Sequence, residues 1–277
     1  MTAKIAFQGE LGAYSHEACL AARPNHDPLP CASFEDVFQA VNSGGAELAM
    51  LPVENSTYGR VADIHRLLPD SGLHIVDEEF VRVRISLLAL PGVTLDQIEV
   101  ARGHLVILPQ CRGFLDTHGI RAEAATDNAG AAADIVKAQE KNAAALASQL
   151  AAKTYGMDVL ATDIEDQGHN TTRFLVMSPG ENAERRADKM ITSFVFQVRN
   201  IPAALYKAMG GFATNGVNMI KLESYMVGGA FTATQFYADI EGHPDDPNVM
   251  LAMEELGFFT DMVRILGTYP ASPTRTG

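Results

Sequence analysis

The sequence predicts a two-part protein: an α/β region with a mostly parallel sheet, then a smaller α+β unit beyond a linker. Three observations predict it. Short apolar runs alternate with helical patterns through the first two thirds, the rhythm of strand–helix–strand units. Residues 178–189 (SPGENAERRADK) combine Pro, Gly and dense charge with little apolar content, a linker composition. Beyond them the order becomes strand, helix, two strands, helix, strand in about eighty residues, the split ferredoxin-like plan.

The elements follow in order. Residues 5–8 read as a strand and 15–22 as a helix that must end before Pro24. Ser33-Phe34-Glu35-Asp36 opens a helix like a capping box, with apolar Phe34, Val37, Phe38 and Val41 and a stop at Gly44-Gly45. Residues 48–53 form a buried strand that leads into the polar run 54–59. A second series holds a strand over 85–90, helices over 108–117 and 127–139, a strand over 143–146, a helix from 148 to its stop at Gly156, and a strand over 159–161. The alanine-rich stretch 122–133 reads as a strand end running into a helix. A further polar loop, 168–173, precedes a strand over 174–177. The last region gives a strand over 191–198, a helix over 202–214, strands over 217–225 and 230–240 around the hairpin signal Gly228-Gly229, a helix over 246–256 and a strand over 262–267.

Composition narrows the function. The 277 residues carry 34 acidic and 21 basic side chains, a net charge of -13. Such a chain repels phosphate lattices, which argues against nucleic-acid and anionic-membrane partners while leaving a small anionic substrate open. Cys19, Cys31 and Cys111 are too few and too scattered for a disulfide framework or a zinc site, and they suit a reduced cytosol. There is no apolar run of membrane-spanning length and no signal-peptide core at the start. Gly9-x-x-Gly12 lacks the third glycine of a dinucleotide loop, and no phosphate loop, HExxH or GxSxG occurs. No metal and no cofactor is expected.

Three polar segments remain, each expected at the carboxyl end of a strand: residues 9–17, 54–57 and 170–173. Ligands of open α/β sheets bind there. Ser15 and Ser56 are expected at helix starts, where free N–H groups favour carboxylates, and Arg173 can clamp a carboxylate through a bidentate fork. The plain alternative is that Ser15 and Thr57 cap helices and Asn55 shapes a turn. The pattern points to a small anion bearing hydroxyls and does not name a reaction.

Certain residues do name one. Residues 9–18 (GELGAYSHEA), 51–56 (LPVENS), 170–174 (NTTRF), Ala147-Ser148-Gln149, and Tyr155-Gly156 with Val159-Leu160-Ala161 make the chain resemble the prephenate dehydratase family over residues 4–270. The resemblance implies a catalytic domain over 1–180 of two lobes built like type II periplasmic binding proteins. Lobe 1 would be about 1–80 and 163–180, and lobe 2 about 81–162. It also implies an ACT regulatory domain over 190–270, prephenate as substrate, phenylalanine as allosteric effector, and a homodimer or homotetramer in the cytoplasm. Carried over by motif, Thr172 would assist departure of the ring hydroxyl, with Glu54 behind it, and Arg173 would bind carboxylate, orient Thr172 or hold the loop. Ser15, Asn55, Ser56, Asn170, Thr171 and His104 would contact substrate, with Phe174 beside or beneath the site. Ala203, Ala204, Leu205, Asn218, Glu223 and Ser224 would form the effector pocket.

The chain departs from the family at two places. A Ser-His-Pro-Gln-Ala-Leu run is replaced by 103–108 (GHLVIL), where only His104, Leu108 and the following Gln110-Cys111 match, and the family's effector motifs Gly-Ala-Leu and Glu-Ser-Arg-Pro read Ala203-Ala204-Leu205 and Glu223-Ser224-Tyr225-Met226 here. Arogenate dehydratase, which would use the same residues, and a non-catalytic amino-acid sensor are the alternatives.

Overall fold

A computed structural model describes residues 3–181, 187–226 and 233–276. The middle of the expected linker and the Gly228-Gly229 turn lie outside them. The chain opens with β1 (Lys4–Gln8), α1 (Tyr14–Ala22), β2 (Asp27–Cys31), α2 (Phe34–Asn42), β3 (Leu48–Asn55), the two-residue β4 (Gly59–Arg60), α3 (Ala62–Leu67) and β5 (His74–Arg82). With β11 (Thr171–Ser178) these strands form one sheet in the order β2-β1-β3-β11-β5, β4 pairing back on β3. Ser33 caps α2 through the expected box, accepting from the Asp36 N–H while Asp36 accepts from Ser33. Strand β2 is one of the strands the sequence hides: Pro28 and Pro30 each remove a ladder donor, which an edge strand tolerates, and β2 lies at the edge beside β1.

A second sheet follows between two chain crossings, residues 83–85 and 162–170. It contains β6 (Ser86–Ala89), β7 (Val100–His104), β8 (Arg121–Ala125), β9 (Ala143–Ala147) and β10 (Asp158–Ala161), in the order β10-β6-β9-β7-β8. Helices α4 (Arg112–His118), α5 (Asn128–Ala138) and α6 (Gln149–Tyr155) alternate with the strands. The core here is built largely of alanine: Ala129, Ala131 and Ala132 of α5 lie with Ala143, Ala144 and Ala145 of β9 and Ala151 of α6. Small side chains allow a close helix–sheet approach, and they explain why residues 122–133 carry so little patterned hydrophobicity. The expected helix from 108 is in fact a 3-10 turn (Leu108–Cys111) followed by α4.

The last region is β12 (Met190–Val198), α7 (Ala204–Thr214), β13 (Met219–Met226), β14 (Ala233–Glu241), α8 (Pro247–Phe258) and β15 (Thr260–Pro270). The order is β13-β14-β12-β15, antiparallel throughout. Phe194, Phe196 and Phe236 meet Ala208 and Phe212 of α7 and Val249, Ala252 and Leu256 of α8 in its core, with Phe196 and Phe236 stacked at 5.2 Å.

By internal contacts the chain divides into two compact units, Met1–Val61 with Glu79–Phe174 and Ala62–Glu78 with Leu175–Gly277. The boundaries fall inside β5 and β11 rather than in the expected linker. Residues 62–78 join the later unit for physical reasons. A Cβ at Gly267 would run into the Ile75 carbonyl, and Glu78 receives a two-pronged contact from Arg275 at 2.6 and 2.8 Å. Among the described residues no helix is long and apolar enough to cross a membrane.

Candidate active site

Strands β1 and β3 run parallel with Phe7 beside Met50, so the loop after Gln8 and the end of β3 open on one sheet edge. Strand β11 starts on that edge: the Ser56 N–H donates to the Thr171 carbonyl at 2.9 Å. The third polar segment therefore enters at the amino end of its strand, a correction to the carboxyl-end expectation, and Thr171, Thr172 and Arg173 are strand residues. Ser56 is likewise at no helix start. It sits in the turn between β3 and β4, donating from Oγ to the His169 carbonyl and accepting from the Thr171 N–H, both at 2.9 Å.

Successive strand side chains point to opposite faces, so Thr172 and Arg173 cannot share one. Arg173 is fully buried and places Nη1 2.9 Å from Glu54 Oε1. Glu54 thus stands with Arg173. Thr172 faces Asn55: the Asn55 Nδ2 group donates to Thr172 Oγ1 at 2.9 Å and to Asn170 Oδ1 at 2.6 Å. The Asn55 amide has a single sensible orientation, because its Oδ1 accepts from the Thr57 and Tyr58 N–H groups at 2.9 and 3.0 Å. Asn170, buried, passes the chain on, its Nδ2 donating to Gln110 Oε1 at 2.5 Å, and Gln110 Nε2 donates to the Val106 carbonyl at 2.8 Å. Gln110 belongs to the second sheet's region and was not among the candidate residues, although it lies in a matching pair of the family motif. Phe174 is buried in the strand below.

The loop after β1 forms one wall of a cleft of about 140 Å3, with Gly9, Gly12, Tyr14 and Ser15 on that wall and Asp127, Asn128 and Ser148 opposite. Ser15 lies in the first turn of α1, whose preceding residue Ala13 supplies no side-chain cap. Asp127 and Ser148 do cap α5 and α6, accepting from the Gly130 and Ala151 N–H groups at 2.6 and 3.1 Å. Ser148 also donates to the Gly12 carbonyl at 2.7 Å, tying the cleft walls together. At Gly12 a Cβ would stand 2.7 Å from the Ala151 Cα, and φ is +93°, so only glycine fits. The Tyr14 phenol, which donates to the Arg84 carbonyl at 2.9 Å, is held well above its usual pKa by burial and stays neutral. His104 ends β7. Its N–H donates to Asn128 Oδ1 at 2.8 Å, and its Nδ1 accepts from the Val106 N–H at 3.3 Å.

The structure thus gathers Asn55, Ser56, Asn170, Thr171 and Thr172 in hydrogen bonds at one sheet edge, sets the Glu54–Arg173 pair on the other face of the strands, and puts Ser15 in the cleft after β1. Asp127, Asn128 and Ser148 are cleft residues that the candidate set omits; their sequence signals are their position at helix starts and, for Ser148, the matching Ala147-Ser148-Gln149 segment. Among the described residues no group of three His, Cys, Asp or Glu side chains could hold a metal ion.

The effector candidates lie in the later unit. Ala203 precedes α7 with φ +61°, Ala204 is buried, and Leu205 packs on the core. Asn218 Nδ2 donates to Glu241 Oε2 at 2.9 Å, Glu223 pairs with Lys221 at 3.2 Å, and Ser224 is exposed on β13. Tyr225, where the family carries arginine, accepts from Gln235 Nε2 through its phenol oxygen at 3.0 Å.

Known proteins resemble this chain over most of its length. The family model for prephenate dehydratase matches residues 5–182. A Komagataeibacter europaeus protein described as a bifunctional N-acyl-homoserine lactone acylase/prephenate dehydratase is 48% identical over 279 residues, covering 98% of this chain and 97% of its own. Arogenate dehydratase/prephenate dehydratase 2 of Arabidopsis thaliana is 37% identical over 285 residues, covering 98% of this chain and 74% of its own. The crystal structure of prephenate dehydratase from Arthrobacter aurescens in complex with L-Phe superposes with a TM-score of 0.88 at 28% identity, over 97% of this chain and 90% of that one. The chain belongs to the prephenate dehydratase family.

Proposed function

We propose that this chain converts prephenate to phenylpyruvate. In that reaction the ring carboxylate leaves as CO2, its C–C bond electrons enter the ring, and the C–O bond opposite breaks. The departing hydroxide takes one proton and leaves as water. Aromatisation supplies the driving force, so the protein must hold two carboxylates, dry the ring one, and offer a hydrogen bond to the leaving oxygen.

The observation that carries this reading is the fixed amide of Asn55. Because its NH2 end donates to Thr172 Oγ1, the Thr172 oxygen is an acceptor there, which leaves its own proton for donation elsewhere. A threonine is too weak an acid to protonate unaided, so it acts by hydrogen-bonding hydroxide as it forms. Arg173, paired with Glu54 and buried, anchors the strand that presents Thr172. Ser15, Ser56, Asn170, Thr171 and His104 are assigned to substrate binding around it.

Residues 1–180 are assigned as the catalytic domain and 190–270 as an ACT regulatory domain responding to phenylalanine, in a cytoplasmic homodimer or homotetramer. The relative solved with L-Phe supports the effector assignment.

A second reading is favoured by the relative 48% identical to this chain, whose description pairs dehydratase with N-acyl-homoserine lactone acylase activity. One observation weighs against it. The Cys111 thiol, raised to about 12 by burial, offers no thiolate nucleophile at neutral pH.

The test is product formation by the purified chain from prephenate, arogenate and an N-acyl-homoserine lactone, each with and without phenylalanine. Phenylpyruvate from prephenate is expected, suppressed by phenylalanine. A preference for arogenate by more than about tenfold in kcat/KM, some 1.4 kcal/mol in transition-state binding, would overturn the substrate assignment.

A further inference from the structure

The loop that carries Ser15 is held at three points. The Gly12 carbonyl accepts from Ser148, the Tyr14 phenol donates to the Arg84 carbonyl, and the Gly12 N–H donates to Nδ1 of His16 at 2.9 Å. The first anchor reaches across to the other side of the cleft, and the second to the segment before β6. The third closes the loop on its own helix, and none of the roles assigned above uses His16. A backbone N–H can only donate, so Nδ1 must carry a lone pair and the ring must be neutral with its proton on Nε2. Burial lowers the His16 pKa, which keeps the ring in that neutral form. Its plane is set independently: the imidazole runs parallel to the Phe7 ring with a lateral offset, centroids 5.7 Å apart and planes within 6°, and Phe7 is itself fully buried in β1.

From this geometry we propose that His16 is a positioning residue for substrate binding, its Nδ1 lone pair locking the Gly12 peptide and so fixing the cleft wall that presents Ser15. On the carboxyl side of Gly12, Ala151 and the Ser148 bond to the carbonyl hold the Gly12–Ala13 peptide, so the Leu11–Gly12 peptide is the one His16 fixes. Losing that bond frees the Leu11–Gly12 peptide to rock, which spreads substrate contacts without touching Thr172. The expected signature is therefore in KM rather than kcat.

The inference rests on the dehydratase reading for its kinetic arm alone. In His16→Asn the amide oxygen takes the place of Nδ1 and keeps an acceptor; in His16→Phe the stacking face survives and the acceptor is lost. KM for prephenate should rise about five- to tenfold in His16→Phe, the worth of one net hydrogen bond, with kcat within about threefold. It should return to within about twofold of wild type in His16→Asn. Equal defects in both variants, or a fall confined to kcat, would overturn the proposal. The second arm needs no turnover: imidazole nitrogen spectra of the 15N-histidine-labelled wild-type chain should show Nδ1 unprotonated and Nε2 protonated at pH 7.5. A proton on Nδ1 would overturn the proposal even if prephenate proved not to be the substrate, whereas absence of wild-type turnover with the expected spectrum would overturn only the dehydratase reading.

Discussion

At the scale of single residues, the site is governed by which atoms can donate. Asn55 is a matching residue of the LPVENS motif, and its identity was plain from the chain, but its role was not. Only the fold shows that the Thr57 and Tyr58 N–H groups take its oxygen and leave its nitrogen for Thr172 and Asn170. Replacing Asn55 with Asp keeps the shape and the acceptor and removes the donor. The Thr172 hydroxyl would then turn to the new carboxylate, and kcat should fall by about a hundredfold or more, the cost of one lost donor to a developing oxyanion. Steady-state kinetics of Asn55→Asp check this; turnover within threefold of wild type would contradict it. Glu54 and Arg173 make the complementary case. The sequence left Arg173 between carboxylate binding, orientation of Thr172 and holding the loop, and the structure adds that its Nη1 lies 2.9 Å from Glu54, on the strand face opposite Thr172.

At the scale of elements, the capped helices and continuous apolar strands were legible, and the strands lacking those signals were not. Strand β3 is buried along most of its length and reads as one apolar run. Strand β5 buries Ile75, Glu78 and Val81, a spacing of three that matches neither strand nor helix periodicity, and one of the three is a carboxylate paired with Arg275. Strand β7 contains Gly103 and ends in His104, too short and too polar to register. Near the effector candidates, the start of α7 shows a local conflict. Ala203 holds φ +61°, a left-handed conformation that an L side chain pays about 1 kcal/mol or more to occupy, at a position where the family carries glycine. Ala203→Gly should therefore raise unfolding free energy by about 0.5–1 kcal/mol in urea titrations, less than the full strain because glycine also gains unfolded-state freedom. A destabilised Ala203→Gly would show that the strain is absent.

At the scale of the whole molecule, the family was legible because three short motifs lie far apart in sequence and meet at one sheet edge. The reversal of β11 is what brings residues 170–173 beside the end of β3, and direction in a sheet has no sequence signal of its own. The division into compact units was also not legible, since residues 62–78 join the later unit through pairings more than a hundred residues away, such as Glu78 with Arg275. A net charge of -13 bounds the partners but is silent on the substrate, which meets only the local donors of the cleft. The central claim is that the Thr172 hydroxyl, aimed by Asn55, assists the leaving hydroxide. The most direct measurement is single-turnover phenylpyruvate formation from saturating prephenate by wild type, Thr172→Ser and Thr172→Ala. The hydroxyl account predicts a Ser variant within about tenfold of wild type and an Ala variant slower by a hundredfold or more, with prephenate affinity preserved in both. An Ala variant as fast as the Ser variant would contradict it.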